Sequence, residues 1–473
     1  MRKSSENVKA TFFLGIASFL TSGMNYIMTP IFTKIMSTSE FGLVSKYNSI
    51  YLIISVIATL TLSRPGILSV GLYEHRDNRW RYLSIMLGEV LVASIVTFVV
   101  ISAIWKSFLG DILRIPFSLV ILILVSCAIQ PAMTFWTYKQ RYEYNWKATF
   151  FVSTGTAILA QVVSVLAVLF FKSNTNLNLG QVRLFSAAFV NVSVAFILYI
   201  YIIRKGKTFV DFNIWKSTLL FALPLIPHYF GFALLTGTDK VMIGYMIGDD
   251  ESGIYSLAAV ISTVGVLLWQ ALCVSVTPFI YKKLGERSFV MIDRLTKPLL
   301  ELVALFCVGI AFFAPEIIMV MGTKDYSAAA YVIPAAAAGT FLHVMYDLFS
   351  NVAFFNKKPI YIMSATLVAA MTNVILNYIC IKRYGYVAAG YTTLFSYLVL
   401  AAVHYRISRI LEKERIFDWK YDVKLSLAVA LMCLCAIPLY PIKIVRYAVI
   451  VGIMILVFVR KGGYINALRE MRV

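Results

Sequence analysis

The chain has 473 residues, of which 60% are hydrophobic and 14% charged, with a mean hydropathy of +0.81. Water-soluble domains sit nearer half apolar and a quarter charged, so a string of such domains is excluded. The formal net charge of +20 suggests nucleic acid as a partner, a suggestion that the placement of the charges removes.

Apolar runs of about 20 residues recur from end to end, the length a helix needs to cross the ~30 Å hydrocarbon layer of a bilayer. In chain order they predict an all-α polytopic membrane protein with about fourteen spans: 10–36, 50–72, 82–105, 117–138, 148–171, 184–203, 217–247, 253–281, 298–321, 328–356, 359–381, 387–405, 425–440 and 444–459. Pro438 and Pro441 split the last two. With the N-terminus inside, the inside segments carry 30 of the 43 Lys and Arg residues and the outside loops 11, counting Lys34 and Arg446 at the outer ends of their spans, while Arg64 and Lys240 lie deeper within spans. This is the positive-inside bias of a multispan protein. It predicts cytoplasmic termini and an even number of crossings. Topology and attraction to anionic lipid headgroups then account for the basicity, with no need of nucleic acid.

Enzyme signals are missing. Gly206-Lys207-Thr208 lacks the upstream glycine of a phosphate-binding loop, so no nucleotide is expected. No HExxH, GxSxG or metal-spaced His/Cys set occurs, and the six cysteines form no CxxC pair. No catalytic residue, metal or cofactor is therefore predicted, and the cysteines read as small packing residues.

Ser39-Glu40-Phe41-Gly42-Leu43-Val44-Ser45 recurs in part as Asp250-Glu251-Ser252-Gly253-Ile254-Tyr255-Ser256, with Glu, Gly and Ser coinciding at an offset of 211 residues. Two six-span halves in the same orientation fit that spacing, as parallel repeats do. The predicted domains are 1–210 for spans 1–6, 211–415 for spans 7–12, and 416–473 for two additional spans and a cytoplasmic tail. Prolines 30, 131, 224, 227, 278, 315 and 334 interrupt or end several spans. The run Leu223-Pro224-Leu225-Ile226-Pro227-His228 predicts that the overlong seventh span is bent, as a packing kink or as a hinge beside a cavity.

An ionisable group at the centre of a span costs roughly 2.5–3.5 kcal/mol on insertion scales and so faces protein or water. Asp347 lies ten residues before Lys357, about 15 Å from the inner edge at 1.5 Å per residue. His343, at i−4, shares its face. That pair suits a coupling ion or proton. Arg64 and Lys240 suit an anionic headgroup, since arginine grips phosphate bidentately and lysine acts as a point charge. Asp239 and His228 complete the predicted substrate-binding set, although Asp239–Lys240 also reads as a structural ion pair. Glu89 and Glu301 read as interhelical hydrogen-bonding groups.

Several segments together resemble the bacterial polysaccharide or O-antigen flippases of the Wzx type, in the multidrug/oligosaccharidyl-lipid/polysaccharide exporter superfamily. They are Ile35-Met36-Ser37-Thr38-Ser39-Glu40-Phe41-Gly42, then Leu223-Pro224-Leu225-Ile226-Pro227 with Asp239-Lys240 and Gly253-Ile254-Tyr255-Ser256. Gly322-Thr323-Lys324-Asp325-Tyr326 follows with Ala329 and Ile333-Pro334, and then Asn373, Asn377 and Tyr384-Gly385. Where the family often has Gly-Ala-Ala, this chain has Ala388-Ala389-Gly390. The resemblance implies two six-helix lobes in pseudo-twofold arrangement around a central cavity, in a bacterial inner membrane. It implies a cargo of polyprenyl-diphosphate-linked oligosaccharide, carried outward for surface polysaccharide synthesis by alternating access. Membrane lipids and other polysaccharide assembly proteins are the further partners it implies. The alternatives are a drug/cation antiporter of the same superfamily, a membrane-embedded polymerase or glycosyltransferase, and a non-transporting scaffold of an assembly complex.

Overall fold

The computed structural model describes residues 21, 23–105, 109–143, 145–173 and 176–471. It is 88% helical, with no strand among the described residues. In a bilayer no water satisfies backbone groups, so the chain closes its hydrogen bonds within helices. Large apolar side chains stand out around many of them, such as Phe151, Phe189, Ile197 and Val459, where lipid is the solvent.

The principal helices are α1 Thr38–Ala58, α2 Pro65–Glu74, α3 Arg79–Ile104, α4 Phe117–Ile129, α5 Pro131–Tyr142, α6 Trp146–Phe171, α7 Leu179–Gly206, α8 Phe212–Ala222 and α9 Ile226–Met246. They continue with α10 Asp249–Ser262, α11 Val264–Gly285, α12 Phe289–Phe312, α13 Ala314–Met321, α14 Ile333–Phe355, α15 Pro359–Tyr384, α16 Ala388–Leu411, α17 Trp419–Leu439 and α18 Lys443–Glu470. Among the described residues eleven helical stretches are long and apolar enough to cross a membrane, with α4–α5, α8–α9 and α10–α11 each taken as one, or twelve if the bent pair Lys324–Tyr331 and Ile333–Phe355 is one span. Much of the expected first span, 10–36, lies outside the described residues. The expected fourteenth, 444–459, lies within the 28-residue α18, which is not one of those stretches.

Several expected spans are interrupted where the sequence pattern reads as continuous, 253–281 at Thr263 and 298–321 at Phe313 among them. The run 50–72 divides into α1 and α2, because Pro65 has no N–H and disfavours helix at Arg64, whose ψ is 143°. The run 117–138 divides at Pro131, which opens α5. The expected bend of the seventh span is a 3-10 turn at Leu223–Leu225 between α8 and α9.

The chain forms two units, the first running to Ala233 with Gly248–Asp250 and the second comprising Leu234–Ile247 and Glu251 onward. The first is built on a wholly buried cluster that includes Leu62, Leu68, Leu83, Met86, Phe135 and Ile202. Gly88 of α3 lets the backbone at Phe209 pass so close that an added Cβ would stand 2.2 Å from its carbonyl oxygen. Ser37 and Glu40 form a capping box at α1, with Ser37 N–H donating to Glu40 Oε2 at 2.9 Å. The other oxygen of Glu40 accepts from Leu179 N–H at 2.7 Å, so one carboxylate serves the starts of α1 and α7.

The second unit packs small residues. Ala365, Ala369 and Ala370 of α15 lie against Leu342 of α14 and Leu400 of α16, and such residues allow close helix approach in lipid. The α17–α18 hairpin is pinned by polar bonds. Arg446, 1% exposed, grips Glu316 with both terminal nitrogens, at 2.7 and 2.6 Å, and donates to Phe312 O at 3.2 Å. The Tyr440 hydroxyl reaches the carbonyl oxygens of Ala311 and Ala330, each at 3.1 Å.

Candidate functional site

The break between α1 and α2 opens onto a cavity of about 460 Å³ in the first unit. Leu60 and Thr61 take left-handed backbone angles, with φ of 49° and 58°, a conformation costing roughly 1–2 kcal/mol per L-residue. Strain of this kind persists where the surrounding structure over-determines it, and functional sites collect it. Thr61 Oγ1 and Ser63 Oγ are buried without a hydrogen-bond partner among the described residues. Both residues line the cavity.

Arg64, the N-cap of α2, is the cavity's first cation. Its guanidinium lies over the Tyr229 ring, 4.5 Å from the centroid, a cation–π contact that steadies the side chain while leaving N–H donors available. The N-terminus of α2 adds a positive dipole end at the same place. Arg141, near the end of α5, is the second cation. Hydroxyls of Tyr51, Ser55, Thr134 and Tyr138 and amides of Gln130 and Asn191 add to the polar lining, which contains no carboxylate among the described residues. Tyr51 already donates to Gln130 Oε1 at 3.2 Å. A concave surface of two guanidiniums and many neutral donors fits an anion with a hydroxylated neighbour.

The candidate residues fall into three groups. His228 packs on Tyr229, with centroids 5.1 Å apart, and lies in the field of Arg64. Asp239 and Lys240 belong to the second unit. Asp239, 4% exposed, accepts from Tyr255 Oη at 2.6 Å, Thr393 Oγ1 at 2.7 Å and Asn377 Nδ2 at 2.5 Å. Asn377 also donates to Asn373 Oδ1 at 3.0 Å and accepts from Thr392 Oγ1. Asp239 is therefore the hub of a buried network joining α9, α10, α15 and α16. In the third group, Trp269 Nε1–H donates to Asp347 Oδ2 at 2.7 Å, with Cys273 Sγ at 3.6 Å. His343, one turn away, packs on Tyr346 and Tyr397 at 5.0 and 5.2 Å between centroids.

The interhelical reading of the two glutamates is met. Thr218 Oγ1 donates to Glu89 Oε2 at 2.6 Å, and Tyr421 Oη to Glu301 Oε1 at 2.8 Å. Among the described residues no group of three or more His, Cys, Asp or Glu could hold a metal ion.

Sequence reasoning missed three features. Arg141 counts as an inside-loop charge in the sequence, yet it lines the cavity. Pro65 was the available signal for the break. Lys46 counts as an outside-loop charge, yet it is 1% exposed, donating to Asp249 at 2.6 Å and to Arg114 O at 3.0 Å. Its burial has no signature in a local hydropathy pattern.

A family model described as "Polysaccharide biosynthesis protein" matches residues 8–282, and the MatE model matches 224–379. A Haemophilus influenzae protein of the Lsg locus is 21% identical over 286 residues, covering 56% of this chain and 64% of the relative. "Probable low-salt glycan biosynthesis flippase Agl15" of Haloferax volcanii is 24% identical over 170 residues, 35% of this chain and 36% of the relative. The chain thus spans less than two thirds of the length of these curated relatives. Among solved structures, the lipid II flippase MurJ in an inward closed conformation superposes with a TM-score of 0.64 at 15% identity, covering 95% of this chain and all of that one. An inward-facing multidrug resistance MATE family transporter of the MOP superfamily gives a TM-score of 0.60 at 13% identity, covering 85% of this chain and 97% of that one. At such identities the likeness is one of fold.

Proposed function

The chain belongs to the polysaccharide biosynthesis protein family, and from that premise we propose that it flips a polyprenyl-diphosphate-linked oligosaccharide from the cytoplasmic to the outer leaflet by alternating access. It is a multi-pass membrane transporter rather than an enzyme. The single observation that carries the cargo assignment is the first-unit cavity, where Arg64 and Arg141 meet hydroxyls and amides with no carboxylate among the described lining residues. A diphosphate wants the guanidiniums, and a glycan wants the neutral donors and acceptors. A cationic drug would want the reverse polarity, which argues against the antiporter.

In this reading Arg64, with His228 and Tyr229 behind it, receives the diphosphate, while the lipid tail stays in the bilayer. An inside-negative potential favours outward movement of the anion by about 2.3 kcal/mol per charge per 100 mV. Asp347 with His343 remains the coupling pair suggested by the sequence. The Asp239 cluster is a second candidate for ion coupling, because its carboxylate, amide and hydroxyl oxygens are the ligand chemistry of a hard cation. Lys240 keeps its proposed role as a point charge for the headgroup.

The test is depletion of the protein in its own host. Lipid-linked glycan should accumulate on the inner leaflet and clear when the gene is restored. Normal outer-leaflet glycan during depletion would overturn the reading. Accumulation of unlinked sugar precursors would instead indicate a synthetic role.

A further inference from the structure

The second unit has an apolar groove between α14, α16 and α17, about 320 Å³ in volume. Leu342 and Phe349 line it from α14, Leu394 and Leu398 from α16, and Leu427 and Ala430 from α17. One wall residue carries a carboxylate. Asp422, in the first turn of α17, lines the groove at 4% exposure, and its Oδ2 has no hydrogen-bond partner among the described residues. A buried carboxylate oxygen without a donor is costly, so a donor from outside the chain fits there.

The neighbouring charges are committed elsewhere. Asp422 lies in the field of Asp293, Asp418, Lys297 and Arg415. Lys297 pairs with Asp293 at 2.5 Å and with Asp418 at 3.5 Å, while Arg415 pairs with Asp418. Three carboxylates thus share two cations, and Asp422 is the carboxylate left over.

The dimensions identify what lies along the rest. From Trp419 to Ala430 the groove follows α17 for eleven residues, about 16 Å at 1.5 Å per residue. That is close to half the ~30 Å hydrocarbon layer, the depth of one leaflet. Trp419 stands at the polar end, where an indole suits the headgroup level. Arg415 lies in the field of Asp422 and is 52% exposed, and beyond its pair with Asp418 a guanidinium keeps further N–H donors for a phosphate.

We infer that this groove binds one acyl chain of an aminophospholipid, with its ammonium donating to Asp422 and its phosphate facing Arg415. An ammonium carries three N–H donors. A choline head has the charge without the N–H, and a glycerol head brings no cation to the leftover carboxylate.

The test uses the purified full-length protein in detergent, titrated separately with phosphatidylethanolamine, phosphatidylcholine and phosphatidylglycerol of matched chains. Bound lipid is counted by native mass spectrometry. Phosphatidylethanolamine should bind about tenfold more tightly than phosphatidylcholine, the scale of one charge-assisted hydrogen bond. Asp422→Asn should bring the two to parity while the lipid-free protein melts at an unchanged or higher temperature. Ala430→Phe, which blocks the apolar end, should weaken both and preserve their ratio. Equal binding of the two lipids by the wild type overturns the inference and requires no variant. A preference for phosphatidylglycerol overturns it as well, as does an ethanolamine preference that survives Asp422→Asn. Saturation by ethylammonium alone, without a chain, would reduce the site to a bare cation site and refute the lipid. All of these readouts are binding, so they stand or fall separately from the cargo.

Discussion

Arg64 shows how one residue can be both costly and useful. An arginine at the centre of a span carries a penalty of roughly 2.5–3.5 kcal/mol unless it faces water or a counter-charge. Here it lines a polar cavity beside a strained helix break, steadied by Tyr229. Charge-assisted hydrogen bonds contribute about 1.5–3 kcal/mol each, so Arg64→Gln should slow flipping at least about tenfold. Arg64→Lys keeps the charge without the fork and should retain part of the activity. Flipping of a fluorescent lipid-linked glycan in reconstituted vesicles measures this, with melting temperature as the control for folding. Wild-type rates in both variants would remove Arg64 from the cargo site. The two candidate coupling carboxylates separate by a similar comparison. Asp239 has three donors and Asp347 has Trp269 and Cys273. Sodium or proton dependence should vanish in whichever of Asp239→Asn and Asp347→Asn removes the coupling ion, and persist in the other. Dependence unchanged in both would place the coupling site at neither carboxylate, and a wild type with no such dependence would leave the membrane potential as the only drive.

At the scale of elements, the proline breaks differ in what they accomplish. Pro278 lies inside α11 and Pro298 inside α12 without ending either helix, because neighbours in lipid can satisfy the freed carbonyls. Pro65, Pro131 and Pro224 instead separate one helix from the next. Two of these breaks, at Pro65 and Pro131, adjoin the cavity, whose lining runs through Thr59, Thr61, Ser63, Gln130 and Pro131. The third lies between α8 and α9, just before His228 and Tyr229. A proline in a helix interior costs about 3 kcal/mol through the lost hydrogen bond and the ring clash. Pro224→Ala should therefore raise the melting temperature by letting α8 run into α9. If the break is a hinge, flipping should slow severalfold in the same variant, as hinge changes do. Higher stability with an unchanged rate would make it a packing kink.

For the whole molecule, the pattern of apolar runs told the fold class and the order of the spans, because lipid imposes the same requirement on every crossing helix. It told less about interruptions, since a hydropathy window averages over a six-residue break such as 59–64. The site was legible only in part. Arg64 stands out as a charge in an apolar run, whereas Arg141 and Lys46 sit at span ends, where a loop charge and a buried one look alike. Burial at those ends is decided by which helices pack there, and that is tertiary information. Nor could the sequence show Asp239 as the hub of a network, because its partners Tyr255, Asn377 and Thr393 come from three other helices. The direction of every crossing rests on charge counts, and it too is open to measurement. The inner segments hold 30 of 43 basic residues against 11 in the outer loops, so the C-terminus should face the cytoplasm. A C-terminal fluorescent protein should therefore glow, and an alkaline phosphatase fused there should be inactive. Single cysteines introduced at Lys413 and at Lys324, in a background free of the native six, should react with an impermeant maleimide from opposite sides. Labelling of position 324 only after the membrane is permeabilised would reverse the orientation.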